Sequence, residues 1–266
     1  MLPRHLVISS RDHAVPTNHP EACMTAFDPT IKALAFDVFG TVVDWRDGIA
    51  REVAAVAAAQ GIAVDAGAFA DAWRAGYQPA MQRVRGGDLP WQRIDALHRL
   101  ILDTLLPRFG LAALAEAERD HLNRAWHRLD PWPDALDGLA RLKRRFTIAP
   151  LSNGNFSLLT NMAKRAGLPW DCVISAELFR HYKPDRETYL GAADLLGIAP
   201  AELMLVACHP GDLRAARAAG LRTGYVARPL ENGPGGPMAT CDPAEFDAVA
   251  DDFVALDRVL AERVDR

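Results

Sequence analysis

Four groups of polar residues stand where the chain leaves an apolar run, and their types suit nucleophilic chemistry. Asp37 closes the run Lys32-Ala-Leu-Ala-Phe-Asp37, Ser152-Asn153 follows Phe146–Leu151, Lys183 lies beyond Cys172–Ser175, and Asp212 lies just beyond Leu203–Cys208. Taken alone, an Asp at a strand end is more often a turn or cap residue than a nucleophile. A carboxylate is nevertheless ionised at neutral pH, so as a nucleophile it needs positioning and desolvation more than activation. A neighbouring cation such as Lys183 would keep it anionic in a dry site.

The elements that would position these groups follow from the pattern of apolar residues. The short run ending at Asp37, followed by Gly40-Thr41, reads as a buried parallel strand leading into a tight turn. From Gly48 to about Leu129 helical spacing dominates, as in Ile49, Val53, Val56 and Ala57, or Leu97, Leu100, Ile101 and Leu105. After Pro131-Trp-Pro133 helices alternate with strands: helices near 134–144, 156–166, 185–196 and 211–219, strands near 146–151, 172–175, 203–208 and 223–227. An edge strand within Phe246–Phe253 and a closing helix complete the series. This alternation predicts an α/β fold, a Rossmann-like doubly wound parallel sheet whose ligand chemistry sits at the C-terminal strand ends. The expected division is a flexible N-terminal tail (1–30), a core (31–47 and 131–266) and an inserted helical cap (48–130). Met24 is an alternative start, and Glu231–Pro237 reads as a surface loop because Gly and Pro punctuate it.

Composition narrows the partners. With 266 residues, 50% of them hydrophobic, the chain can bury a full core, and a formal net charge of −4 gives no basic footprint for nucleic acid. No apolar run approaches the roughly 18 residues of a membrane span. The four cysteines, Cys23, Cys172, Cys208 and Cys241, are widely spaced without a C-x-x-C pair, which points to a reducing, cytoplasmic location and against a metal or disulfide scaffold. Cys208 reads as an inert buried thiol, and Arg83, Arg85 and Arg93 as a solvated face of the cap.

The segments Phe36-Asp-Val-Phe-Gly-Thr-Val-Val-Asp44, Leu151-Ser-Asn-Gly154, Lys183-Pro-Asp-Arg-Glu-Thr-Tyr189 and Val206-Ala-Cys-His-Pro-Gly-Asp-Leu213 resemble, in order, the four motifs of the haloacid dehalogenase superfamily. The resemblance spans about residues 31 to 230. Most members of that superfamily are magnesium-dependent phosphatases with a second Asp two residues after the nucleophile; here that position is Phe39. An alkoxide leaves poorly without a proton, whereas chloride or bromide needs none, so loss of the acid suits carbon–halogen cleavage.

Phe39, Tyr189 six residues after Lys183, and the pair Trp73-Arg74 are similar to the (S)-2-haloacid (L-2-haloacid) dehalogenase branch. That resemblance implies that Asp37 attacks the halogen-bearing carbon of a small 2-haloacid with inversion, that Arg74 receives the halide, and that water then hydrolyses the aspartyl ester to a 2-hydroxy acid. Lys183 and Asp212 would orient nucleophile and water; Thr41, Ser152 and Asn153 would hydrogen-bond carboxylates; Phe39, Tyr189 and His209 would border the substrate. Ala207, His209 and Gly211 depart from the familiar fourth motif: Gly211 would either enlarge the pocket or leave room for another side chain, such as Trp45 or Tyr77, to fill, and His209 is expected to bond Asp212 or the incoming water. A monocarboxylate and a halide carry less charge than a phosphate ester, so Arg74 and Lys183 would suffice and neither metal nor cofactor is expected. A homodimer fits the family. The competing readings are a magnesium-dependent phosphatase binding its ion through Asp37, Asp212 and a backbone carbonyl, and a non-catalytic interaction protein that keeps the fold.

Overall fold

The structure, a computed structural model, describes residues 31–237 and 242–264. The expected tail, Met24, Cys23 and Cys241 lie outside the described residues.

The first strand, β1 (Ala33–Phe36), is buried along its whole length, as a central parallel strand must be. Its side chains alternate between two apolar layers: Leu34 and Phe36 enter one, Ala33 and Ala35 the other. A two-residue strand β2 (Val43–Asp44) follows, then the helices α1 (Trp45–Ala59), α2 (Ala66–Arg85), α3 (Ile94–Leu105) and α4 (Glu116–Asn123). The chain returns through β3 (Asp130–Pro131), which pairs antiparallel with β2, Val43 opposite Pro131 and Asp44 opposite Asp130. Helix α1 begins at Trp45, earlier than its apolar spacing suggests, because the Asp44 side chain accepts from the Asp47 N–H at 3.1 Å and caps it.

The remaining elements alternate: α5 (Ala135–Leu142), β4 (Thr147–Ser152), α6 (Phe156–Ala166), β5 (Ile174–Ser175), α7 (Arg186–Leu195), β6 (Leu203–Ala207), α8 (Pro210–Ala218), β7 (Arg222–Val226), β8 (Ala248–Ala250) and α9 (Phe253–Val264). The six-stranded sheet has the order β5-β4-β1-β6-β7-β8, with every pairing parallel. The doubly wound α/β fold is thus present. Strand β1 lies between β4 and β6, so successive connections leave it in opposite directions, and a crevice opens at its C-terminal end.

Helix α2 reaches over that crevice with Arg74, Tyr77 and Gln78, and α1 and α3 pack against it. Phe69, Trp73, Tyr77 and Met81 recur every four residues along α2 and are all buried. Trp126 ties this layer to the sheet: its ring lies 5.4 Å from Phe39, 5.6 Å from Trp73 and 4.2 Å from His98. Each such aromatic pair adds about 0.5–1.5 kcal/mol beyond the area it buries. No helix among the described residues is long and apolar enough to cross a membrane.

Candidate active site

Asp37 emerges from β1 into a turn that is held from three sides. Gly40 takes a φ of 87°, in the left-handed region, and a Cβ at that position would overlap the Glu231 carboxylate. Trp132 donates through Nε1 to the Gly40 carbonyl at 2.8 Å, and Arg228 through Nε to the Thr41 carbonyl at 2.8 Å. Arg228 is itself fixed by a two-pronged pair with Asp134 at 2.7 and 2.9 Å. The turn presents Thr41, whose hydroxyl donates to Asp37 Oδ2 at 2.8 Å.

The other strand ends converge on the same carboxylate. Lys183 Nζ donates to Asp37 Oδ1 at 2.8 Å and also to Asp212 Oδ2. The Lys183 backbone is placed by Asn153, which accepts from its N–H at 2.6 Å and donates to its carbonyl at 3.2 Å. Tyr189 donates to Asp212 Oδ1 at 2.5 Å. His209 meets Asp37 Oδ2 through Nδ1 at 3.0 Å and Glu231 through Nε2 at 2.8 Å. Burial by itself would raise the Asp37 pKa, but Lys183 and His209 hold it far below the ordinary carboxylate range. Burial likewise works against the Lys183 charge, and Asp212 and Asp37 together push its pKa above the usual value.

These groups border a cavity of about 390 Å³. Of the residues singled out from sequence, Asp37, Phe39, Arg74, Ser152, Asn153, Lys183, His209 and Asp212 line it. Thr41 and Tyr189 do not; they stand behind the carboxylates. For Tyr189 this corrects the expectation of direct substrate contact, since its hydroxyl is committed to Asp212. His209 is also placed differently from expectation, against Asp37 and Glu231 instead of Asp212. Neither Tyr77 nor Trp45 fills the room at Gly211, where an added Cβ would meet nothing within 4 Å: Tyr77 lines another part of the cavity wall, and Trp45 turns its Nε1 to Glu231 at 3.2 Å.

Arg74 reaches the cavity from α2. Its guanidinium lies over the Tyr77 and Trp45 rings, 4.8 and 5.6 Å from their centroids, and its Nη1 is buried with no hydrogen-bond partner. Such an N–H group is costly unless an anion or water meets it. The wall around it is apolar and aromatic, and burial lowers the pKa of His98 in that wall to about 3, so this ring adds no charge.

Sequence reasoning missed two contributors. Glu231, assigned to a surface loop, is buried and accepts from His209, Trp45 and the Cys208 thiol. Its one available signal is its place just past β7, at the same sheet edge as the other site residues. Arg85 was expected in solvent, but it pairs with Asp185 at 2.9 Å and donates to the Tyr182 and Lys183 carbonyls. Arg83 is exposed as expected, and Arg93, largely exposed, pairs with Glu177.

Magnesium, which takes about six oxygens in octahedral geometry, does not fit this donor set. Both oxygens of Asp37 and both of Asp212 are engaged by Lys183, Thr41, His209 and Tyr189, and position 39 offers a ring in place of a carboxylate. Cys208, His209 and Glu231 do bring ligand atoms within 4.8 Å of one another, but both His209 nitrogens already face carboxylates.

Comparison with known proteins gives a consistent picture. Residues 31–220 match the haloacid dehalogenase-like hydrolase family. The chain is 31% identical over 206 residues to (S)-2-haloacid dehalogenase 1 of Pseudomonas sp. (strain CBS-3), covering 76% of this chain and 86% of that one. Among solved structures it is similar to the defluorinating L-2-haloacid dehalogenase Rha0230, with 46% identity, a TM-score of 0.83, and coverage of 88% of this chain and 97% of that one. The L-2-haloacid dehalogenase PA0810 is 47% identical with a TM-score of 0.80, covering 86% and 98% of the two chains.

Proposed function

The chain belongs to the haloacid dehalogenase-like hydrolases, and from that premise we propose that it hydrolyses the carbon–halogen bond of small (S)-2-haloacids through an ester on Asp37. The observation that carries the reading is the buried, unpartnered Nη1 of Arg74 in the cavity that holds Asp37. A nucleophilic carboxylate and an unsatisfied cationic donor in one pocket suit a substrate that accepts an attack at carbon and releases an anion.

In the first step an Asp37 oxygen forms a bond to C2 of the haloacid as the carbon–halogen bond breaks, with inversion at C2. The halide leaves with the bonding pair toward Arg74. Phe39 is no obstacle because the leaving group takes no proton. The Ser152 oxygen accepts from the Gly154 N–H at 3.1 Å, which leaves its hydroxyl proton for the substrate carboxylate. In the second step water opens the ester and yields the 2-hydroxy acid. A reducing, cytoplasmic setting belongs to the same proposal, supported by four widely spaced cysteines without a C-x-x-C pair.

The test is halide release from L-2-chloropropionate by the purified protein in EDTA, beside fluoroacetate and a panel of phosphate esters with Mg²⁺. Halide without added metal, abolished in Asp37→Asn, is the expected result. Phosphate release that depends on metal, with no halide, would overturn the proposal.

A further inference from the structure

Two donors converge on a single oxygen of the nucleophile. Thr41 Oγ1 lies 2.8 Å and His209 Nδ1 3.0 Å from Asp37 Oδ2, while Lys183 holds the other oxygen, Oδ1, at 2.8 Å. The far side of the His209 ring is anchored, with Nε2 2.8 Å from Glu231 Oε1. An ionised carboxylate only accepts hydrogen bonds, so a ring set between two of them carries a proton on each nitrogen. His209 is therefore a cationic donor, and its position is fixed from behind.

We propose that His209, together with Thr41, forms an oxyanion site on Asp37 Oδ2 that accelerates hydrolysis of the aspartyl ester, with Glu231 as the residue that positions the His209 ring by accepting its Nε2 proton in a hydrogen bond. This inference rests on the dehalogenase reading and assigns a residue to its second step. Oδ2, with two donors, is the less nucleophilic oxygen and stays the carbonyl; Oδ1 carries the substrate carbon. The oxygen of water bonds to Asp37 Cγ, the π pair of the carbonyl moves to Oδ2, and Asp212 takes one proton from that water. Thr41 and His209 face the charge that develops on Oδ2. When the carbonyl reforms, the Cγ–Oδ1 bond breaks with its electron pair on Oδ1, which departs as the hydroxyl oxygen of the product. Its proton arrives through Lys183, which touches both Asp212 and Oδ1 and recovers a proton from Asp212. The regenerated Asp37 carboxyl loses the remaining water proton to solvent.

The surroundings support a charged ring. Burial disfavours it, but Cys208, Asp37 and Glu231 raise the His209 pKa well above its ordinary value. The Cys208 thiol is itself pushed up by burial and stays neutral, so the two carboxylates carry the effect at neutral pH. Glu231 is kept ionised against its own burial by His209 and Arg74. Lys183 faces Asp37 from the opposite side.

A single-turnover experiment with L-2-chloropropionate, following halide by rapid quench and the ester by intact-protein mass spectrometry, separates the two steps. In His209→Ala the halide burst persists while ester breakdown slows about 10²–10³-fold, the effect of losing one oxyanion donor. In the ester Asp37 no longer carries a charge, and Glu231 is the carboxylate that keeps the His209 ring protonated. Ester breakdown in the wild type falls as pH rises through the His209 pKa of that intermediate, and in Glu231→Gln this alkaline limb moves to lower pH. A general base would show the opposite slope. Ester breakdown at the wild-type rate in His209→Ala, an equal slowing of burst and breakdown in that variant, or an alkaline limb unmoved in Glu231→Gln would each overturn the role of His209 alone. Absence of halide from the wild type would instead remove the dehalogenase reading and this inference with it.

Discussion

Arg85, on the last turn of α2, donates to the backbone carbonyl of Lys183 at 2.6 Å and pairs with Asp185 two residues further on at 2.9 Å. The helical layer thus holds the loop that delivers the site's central ammonium. Replacing Arg85 with Met keeps much of the stem but removes these charge-assisted bonds. The expected loss is about 1–3 kcal/mol of stability, given the value of hydrogen bonds to charged groups. Denaturant midpoints and kcat should fall together, and Arg85→Lys should restore little because an ammonium lacks the planar fork.

Arg74 is expected to act on the departing halide and not on folding. Arg74→Gln should lower kcat/KM by about 10²-fold or more, the scale for losing a preorganised donor to developing charge. Inhibition by added chloride or bromide should weaken in parallel. Unaltered halide inhibition in this variant would move the halide seat elsewhere.

The pH dependence of stability has opposite signs at the two ends. The folded His209 pKa lies above its ordinary 6.5, so the stabilisation from its proton is complete below that value and is lost as pH rises through the raised one. The folded Asp37 pKa lies below the ordinary 3.8, so its contribution is present above that value and is lost as pH falls through the lowered one. Denaturant midpoints measured on the alkaline side should decline in the wild type. In His209→Gln that decline should flatten.

Gly40→Ala introduces a Cβ against the Glu231 carboxylate and places a non-glycine residue at a φ of 87°. Such strain costs about 1–3 kcal/mol. Because Glu231 must shift, the ester-hydrolysis step should suffer more than halide release, which the quench experiment resolves.

How far these positions are legible in the sequence depends on how local their cause is. Asp37, Asn153, Lys183 and Asp212 follow apolar strands, and a parallel sheet collects such ends at one edge, so their convergence follows from pattern alone. Glu231 also follows a strand, but the Gly and Pro around it suggest a solvated turn. What buries it is the approach of Gly40, Trp45 and His209 from elsewhere in the chain. Arg85 looks like one charge among several on a helix, although it continues the four-residue spacing of Trp73, Tyr77 and Met81 toward the site. The partners of His209 have no local signature, since they are set by how β6 and the loop after β7 sit beside β1.

The chain passes from sheet to helical layer and back through neighbouring points, the antiparallel pair Val43–Asp44 and Asp130–Pro131. Of the residues that line the cavity, Arg74, Tyr77 and Gln78 are encoded between those two crossings, and Asp37, Phe39, Ser152, Asn153, Lys183, His209 and Asp212 outside them. Mutation and recombination within that interval can therefore rebuild one wall of the cavity while the sheet keeps Asp37, Lys183 and Asp212 in register. The carboxylate is inherited with one part of the gene and the guanidinium that faces its cavity with another.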